Sequence, residues 1–320
     1  MGSDTKEYRP PKGLICPIIT PLTDKKLLDE ASLEKLIRHV EPYIDAILLG
    51  DISFGEVLFL NSRTREDLIA RGFEIIDGRL PILVTITDET AEKTNKNMYR
   101  FESIIERSGY TGEIFWVDYP IYYHSNRKLP QFYRELSENT KIPFIIGNDP
   151  RLIKNNKIPV RHKNIRTSIM KNLANLESIK GLIFSGTLNR ALNYQKGLRD
   201  RKDFRFYDGN EGTFLKRPSS SGVVAGGANL LPEAWRKITY SSLNLYDVQR
   251  EYRDYVRHIW RTGSMLQAIY DLYGKNPGVV MKYILYLAGL IPNSVTASGE
   301  SVGPDEERTI KAVIKEYEIV

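Results

Sequence analysis

Between Gly13 and Ala225 the chain alternates eight short apolar runs with stretches of helical spacing, and this alternation limits its fold more than any other feature. The runs are Gly13 to Thr20, Ile44 to Leu49, Leu80 to Thr87, Glu113 to Val117, Ile142 to Ile146, Ile179 to Ser185, Phe204 to Tyr207 and Gly222 to Ala225. Each reads as a strand buried on both faces. The stretches between them place apolar residues three and four apart, as at Leu33, Leu36, Ile37 and Val40, and predict helices over Asp29 to Val40, Thr64 to Ile76, Ala91 to Ser108, Leu129 to Glu138, Asn164 to Leu173 and Leu188 to Gly197. Parallel strands need helical crossovers, and closing the sheet removes both of its edges, so the pattern predicts an α/β fold, a (β/α)₈ TIM barrel over residues 13–230. An open doubly wound sheet would want a glycine-rich phosphate loop after its first strand, and CPIITPLTD is not one.

From Leu231 onward the spacing is helical throughout: Pro232 to Ser241, Tyr246 to Thr262, Leu266 to Tyr273, Val279 to Leu290 and Asp305 to Tyr317. No Gly/Ser-rich or Pro-rich linker precedes them, so residues 231–320 are expected to pack on the barrel as part of the same domain. The opening MGSDTKEYRPPKG reads as a disordered arm over residues 1–12.

Composition narrows the function classes. With 41% hydrophobic and 27% charged residues, and no apolar run near the ~20 residues that span a bilayer, the chain is expected to have no membrane partner. A single cysteine, Cys16, excludes an internal disulfide framework, and no charged-then-apolar leader opens the chain, so the cytoplasm is the expected compartment. The net charge of +6 invites a nucleic-acid reading, but the Lys and Arg clusters at residues 154–171 and 199–205 flank predicted helices without a recognition motif. A solvated basic face is the better account, and no nucleic-acid partner is expected.

Short motifs, in order, carry a resemblance. Ile19, Thr20 and Pro21 close the first strand; Ser53, Phe54, Gly55 and Glu56 follow the second; Thr90, Ala91 and Glu92 open the third helix. Pro120, Tyr122 and Tyr123 follow strand four, and Pro143, Asn148 and Pro150 frame strand five. Ile179, Gly181, Gly186, Leu188 and Arg190 mark strand six. Gly209, Asn210 and Glu211 follow strand seven, and Gly222, Val223, Ala228, Asn229 and Pro232 follow strand eight. From Gly13 to Tyr317 the chain resembles the dihydrodipicolinate synthase and N-acetylneuraminate lyase family of barrel aldolases. The resemblance implies a lyase or synthase acting on a small keto acid or carboxylate without a metal or other cofactor, and a homo-oligomer, dimer or tetramer. It also implies a strand-six lysine that forms a Schiff base with the substrate's keto group, and a strand-five tyrosine that shuttles a proton. Aligning the motifs puts Ile183 at the lysine position and Gly147 at the tyrosine position, and isoleucine cannot form an imine. Two readings follow: a family enzyme with altered chemistry, or an inactive paralogue that binds a ligand or serves assembly.

Catalytic groups of a barrel gather at the carboxyl ends of its strands. Those ends carry Asp51 and Glu56, Asp88, then Asp118, Tyr119, Tyr122, Tyr123 and His124, then Asn148, Asp149 and Arg151, then Ser185, and last Asp208, Asn210 and Glu211. By resemblance the ligand-binding residues are expected among Ser53, Gly55, Glu56, Tyr122, Tyr123, Asn148, Arg151, Ser185, Asn210 and Glu211. Asp51, Asp118, Asp149 and Glu211 could together hold a divalent cation, but the favoured account is that each caps a helix or pairs with a base, so no metal is expected. Three lysines are candidate substitute amines. Lys180 has the opposite strand parity to Ile183, Lys216 follows strand seven, and Lys282 belongs to a late helix. Cys16, His39 and His258 read as structural.

Overall fold

A computed structural model describes residues 9–154, 162–219, 221–245 and 252–319, with the side chains of 154 and 252–256 left aside. Eight parallel strands close a barrel in sequence order: β1 (Gly13–Pro17), β2 (Ala46–Leu49), β3 (Ile82–Thr85), β4 (Ile114–Asp118), β5 (Phe144–Asn148), β6 (Ile179–Phe184), β7 (Arg205–Asp208) and β8 (Gly222–Val224). The protein is therefore a (β/α)₈ barrel. Its crossovers are helices α1 (Glu30–Val40), α2 (Ser62–Ile76), α3 (Ala91–Ser108), α4 (Leu129–Ser137), α5 (Pro150–Lys154), α6 (Thr167–Ala174), α7 (Leu188–Leu198) and α8 (Glu211–Lys216). Several begin on a side chain that accepts an otherwise unpaired backbone N–H: Asp29 from Ser32, Asn61 from Thr64 and Thr90 from Lys93. The short α5 and α8 were not legible in the hydrophobic spacing, because neither is long enough to show a period.

Strand parity divides the core in two. Ile15, Leu48, Leu83, Phe115, Val117, Ile145, Ile183, Tyr207 and Val224 fill the barrel interior. Their neighbours, such as Leu14, Ile47, Val84, Trp116, Ile146, Leu182 and Phe206, pack outward against the helices. Ile183 thus faces the interior, while a register shift between Ile179 and Gly181 interrupts the alternation at Lys180.

The C-terminal segment adds α9 (Pro232–Ser242), α10 (Tyr252–Tyr273), α11 (Pro277–Leu287) and α12 (Pro304–Glu316). Their buried residues Trp235, Leu266, Ile269, Tyr273, Met281, Ile284 and Ile310 join the same apolar cluster that lies between the barrel and its crossovers. The expected break between Thr262 and Leu266 does not occur. Although Gly263 costs about 1 kcal/mol of helix propensity, Thr262, Leu266, Ile269 and Tyr273 fall on one buried face, and that burial outweighs it. Residues 246–251 of the expected helix lie outside the described residues.

Residues 9–12 are not part of a free arm. The Pro10 carbonyl accepts from Arg205 Nε at 3.1 Å, and the Pro11 carbonyl accepts from the Tyr207 hydroxyl at 2.5 Å. These contacts hold the segment across the amino end of the barrel. The seam between β1 and β8 is closed by glycine, with Gly13 and Gly222 paired in register. A Cβ on Gly222 would lie 2.1 Å from the Gly13 carbonyl oxygen, and the backbone there has φ +156°. A Gly222→Ala substitution is therefore expected to lower stability by roughly 2 kcal/mol or more, read as a drop in Tm against an exposed Gly303→Ala control; an unchanged Tm would show that the seam can open to accommodate a side chain.

Candidate functional site

A cavity of about 430 Å³ opens at the carboxyl ends of the strands. Strand ends and the loops after them supply Asp51 and Ser53, Tyr119, Asp149 and Arg151, Ile183 and Ser185, and Asn210 and Glu211. The opposite wall comes from the junction of α10 and α11, with Tyr270, Tyr273, Lys275 and Gly278, and from Ser298 and Glu300. The C-terminal helices thus complete the mouth. Strand reasoning could not reach those residues; the sequence KNPG at 275–278 was the available signal of a turn there.

Of the residues expected from sequence to bind a ligand, Ser53, Glu56, Arg151, Ser185, Asn210 and Glu211 line this cavity. Others do not. Gly55 is buried in the tight turn after β2, where a Cβ would come within 2.7 Å of the Asp51 backbone nitrogen. Tyr122 borders a small separate recess beside Gly147 and Leu152. Asn148 points outward, accepting from the Ile165 N–H at 2.7 Å and donating to the Asn164 side chain at 3.2 Å. Tyr123 also points outward, its hydroxyl donating to Asp118 at 2.6 Å.

The acidic ring resolves into separately satisfied groups. Asp51 accepts the backbone N–H groups of Ser53 at 2.8 Å and Phe54 at 2.7 Å, which ties down the loop after β2. Burial raises its pKa, those N–H bonds oppose the rise, and nearby Asp149 adds to it. Asp88 pairs with Arg65 at 2.7 Å. Asp118 faces the helices and accepts from Tyr123, Tyr133 and Thr87 hydroxyls. Asp149 takes the Arg151 fork through Nε at 3.0 Å and Nη2 at 2.5 Å. Among the described residues no group of three or more His, Cys, Asp or Glu is arranged to hold a metal ion.

Glu211 is a buried carboxyl in the wall of the mouth. Burial pushes its pKa up to about 7, against the pull of the Tyr273 hydroxyl, the Gly226 and Gly227 N–H groups and, more distantly, Arg151. Gly226 donates to it at 2.9 Å and Gly227 at 3.3 Å. Tyr119, also fully enclosed, has its hydroxyl pKa raised well above the ordinary value by burial, then by Asp51 and Asp149.

The three candidate amines are spoken for or remote. Lys180 reaches Asp203, just before β7 and so at the end of the barrel away from the mouth, at 3.3 Å. Lys216 ends α8 with an exposed side chain. Lys282 lies on α11, buried, 2.5 Å from Glu56 and 2.9 Å from the Val295 carbonyl; burial lowers its pKa while Glu56 opposes the shift. A fourth amine, Lys275, was not singled out from sequence and stands exposed at the cavity rim.

Residues 10–260 match the model of the dihydrodipicolinate synthetase family. The chain belongs to that family. It is 27% identical over 315 residues to the 4-hydroxy-tetrahydrodipicolinate synthase of Thermotoga petrophila, covering 95% of this chain and 98% of that protein. The synthase of Persephonella marina is 25% identical, covering 97% and 99%. Among solved structures, the dihydrodipicolinate synthase of Thermotoga maritima superposes with a TM-score of 0.80 at 21% identity over 97% of this chain and 99% of that one. A chloride-inhibited synthase of Acinetobacter baumannii, complexed with pyruvate, superposes at 0.79 with 18% identity over 97% and 99%. In this family member the inward residue of β6 nearest the mouth is Ile183, 1% exposed, and it is paired in register with Gly147 on β5.

The Glu211 environment sets a pH dependence. An acid whose folded pKa lies above its unfolded value contributes stability fully present below 4.5, lost as pH rises through about 7. The loss is on the order of 3 kcal/mol. Glu211→Gln removes this titration, so the decline of Tm between pH 5 and 7.5 is expected to be shallower in the variant than in the wild type, and parallel curves would contradict the assignment.

Proposed function

We propose that the mouth binds a small carboxylate of the keto-acid class, and that it does so without an imine on strand six. The observation that carries this reading is the pairing of Ile183 with Arg151 in one cavity: an aliphatic side chain stands where the resemblance sets the nucleophile, while a guanidinium suited to a carboxylate lines the same space. Ser185 and Asn210 add hydroxyl and amide groups to the wall. Arg151 is held by Asp149 but remains half exposed, so a ligand can share it from the cavity side.

Lyase chemistry of the family kind stabilises a carbanion beside the keto carbon, and an iminium is one means of doing that. Without one, donors at the keto oxygen and an acid such as Glu211 are the groups left to this site. The same observation supports the second reading, a paralogue that retains the barrel and a pocket but lacks turnover.

Pyruvate with sodium borohydride, followed by intact mass and a pyruvate titration, separates these. The expected result is reversible pyruvate binding with no trapped adduct, while a known family synthase labels in parallel. An adduct mapped to Lys275 or Lys282 would restore imine chemistry from another element. A folded protein that neither binds nor labels would remove the ligand and leave an assembly role.

The reading also carries a cytoplasmic homo-oligomer of two or four copies. Trp260 on α10, 74% exposed beside a groove lined by Leu231, Pro232 and Met265, supports an apolar contact surface there. Light scattering on the purified chain is expected to give a dimer or tetramer, and a monomer at micromolar concentration would refute it.

A further inference from the structure

Tyr119 and Gly147 occupy one row at the rim of the barrel. The β4–β5 register runs Trp116 with Phe144, Val117 with Ile145 and Asp118 with Ile146, so the next step brings Tyr119 beside Gly147, and Gly147 in turn pairs with Ile183. All three positions point inward by strand parity. The Tyr119 ring leans across Gly147 so closely that a Cβ there would lie 2.4 Å from its Cδ1 and Cε1 atoms. Real Cβ atoms do not approach a ring to that distance. A side chain at 147 and the Tyr119 ring cannot both occupy this volume.

The outward side of the same strand end explains why Tyr119 is held inward. Thr87 Oγ1 accepts from the Tyr119 N–H at 2.8 Å and donates to Asp118 at 2.7 Å, and Asp118 also accepts from the Tyr133 hydroxyl at 2.6 Å. The backbone at the end of β4 is thereby clamped, and the following side chain goes to the opposite face. Tyr119 is 7% exposed, and it forms part of the lining of the mouth. It lies within the electrostatic reach of Asp51, Asp149 and Arg151, all of which line the mouth. A hydroxyl in the wall of a polar cavity is placed to donate to a ligand oxygen there.

We infer that Tyr119 takes the place in the mouth that strand five leaves open at Gly147, and that its hydroxyl donates a hydrogen bond to an oxygen of the bound carboxylate opposite Arg151. The inference rests on the reading that the mouth takes a small carboxylate. It adds a named donor and a reason for the glycine. Because burial and the neighbouring acids keep the phenol protonated, the group donates across the neutral range and does not act as an anion.

Pyruvate titration of the wild type, Tyr119→Phe, Gly147→Ala and the double variant tests this. Tyr119→Phe keeps the ring on Gly147 and is expected to hold Tm while weakening pyruvate binding roughly three- to tenfold, the size of one hydrogen bond. Gly147→Ala displaces the ring and is expected to weaken binding in the wild type but to add little to Tyr119→Phe, since the donor is already absent. Equal affinities in wild type and Tyr119→Phe would overturn the inference alone. Additive losses in the double variant would also overturn it, because Gly147 would then act by another route. A wild type that binds no pyruvate overturns the inference together with the reading beneath it.

Discussion

A sheet closed on itself has a fixed interior, and every inward side chain at the rim is placed at the expense of another. That constraint organises this protein. At the amino end it is met by the Tyr207 hydroxyl reaching the Pro11 carbonyl and by two facing glycines where β1 and β8 join. At the carboxyl end it is met by Tyr119 lying over Gly147, with Ile183 beside them. Changing the occupant of one rim position therefore changes what its neighbours can be. The chemistry of the mouth is a property of the row, not of single residues.

The outward faces obey a different rule, that buried polar groups must find partners. Asp118 is buried against the helices, and three hydroxyls satisfy its carboxylate. Glu56 is buried beside the mouth, and Lys282 faces it at 2.5 Å, while the Ala297 N–H donates to its other oxygen at 3.1 Å. Removing one member of such a pair typically costs about 3–5 kcal/mol, because the other is left charged and alone. These acids are therefore first of all structural, and the mouth's reactive character falls to the groups that remain turned toward the cavity.

The barrel itself was legible because eight buried strands leave eight apolar runs, and alternation from Gly181 to Ile183 placed Ile183 inside it. The site was only half legible. Arg151, Ser185, Asn210 and Glu211 directly follow strands, and chain order alone put them at the mouth. Tyr123 and Asn148 were expected there too, yet both turn outward: Asn148 by strict alternation from the inward Gly147, Tyr123 because Asp118 draws its hydroxyl. The wall from Tyr270 to Gly278 left no mark on strand periodicity, since it is a helix junction brought in from far along the chain, and KNPG signalled only a turn there. Gly147 read as an absence in the sequence. Only the ring lying over it gives that absence a physical meaning.

The contact of Glu56 with Lys282, Ala297 and Ser298 joins positions more than 220 residues apart in the chain. During synthesis the loop after β2 emerges early, carrying a carboxylate whose partners do not yet exist. Domains fold as units, so this loop stays in water until the C-terminal helices that share the barrel's core have been made. The mouth takes its final shape only when α11 and the segment after it arrive. Completion of the pocket is thus tied to the arrival of α11 and residues 297–298, long after the strands that form its floor.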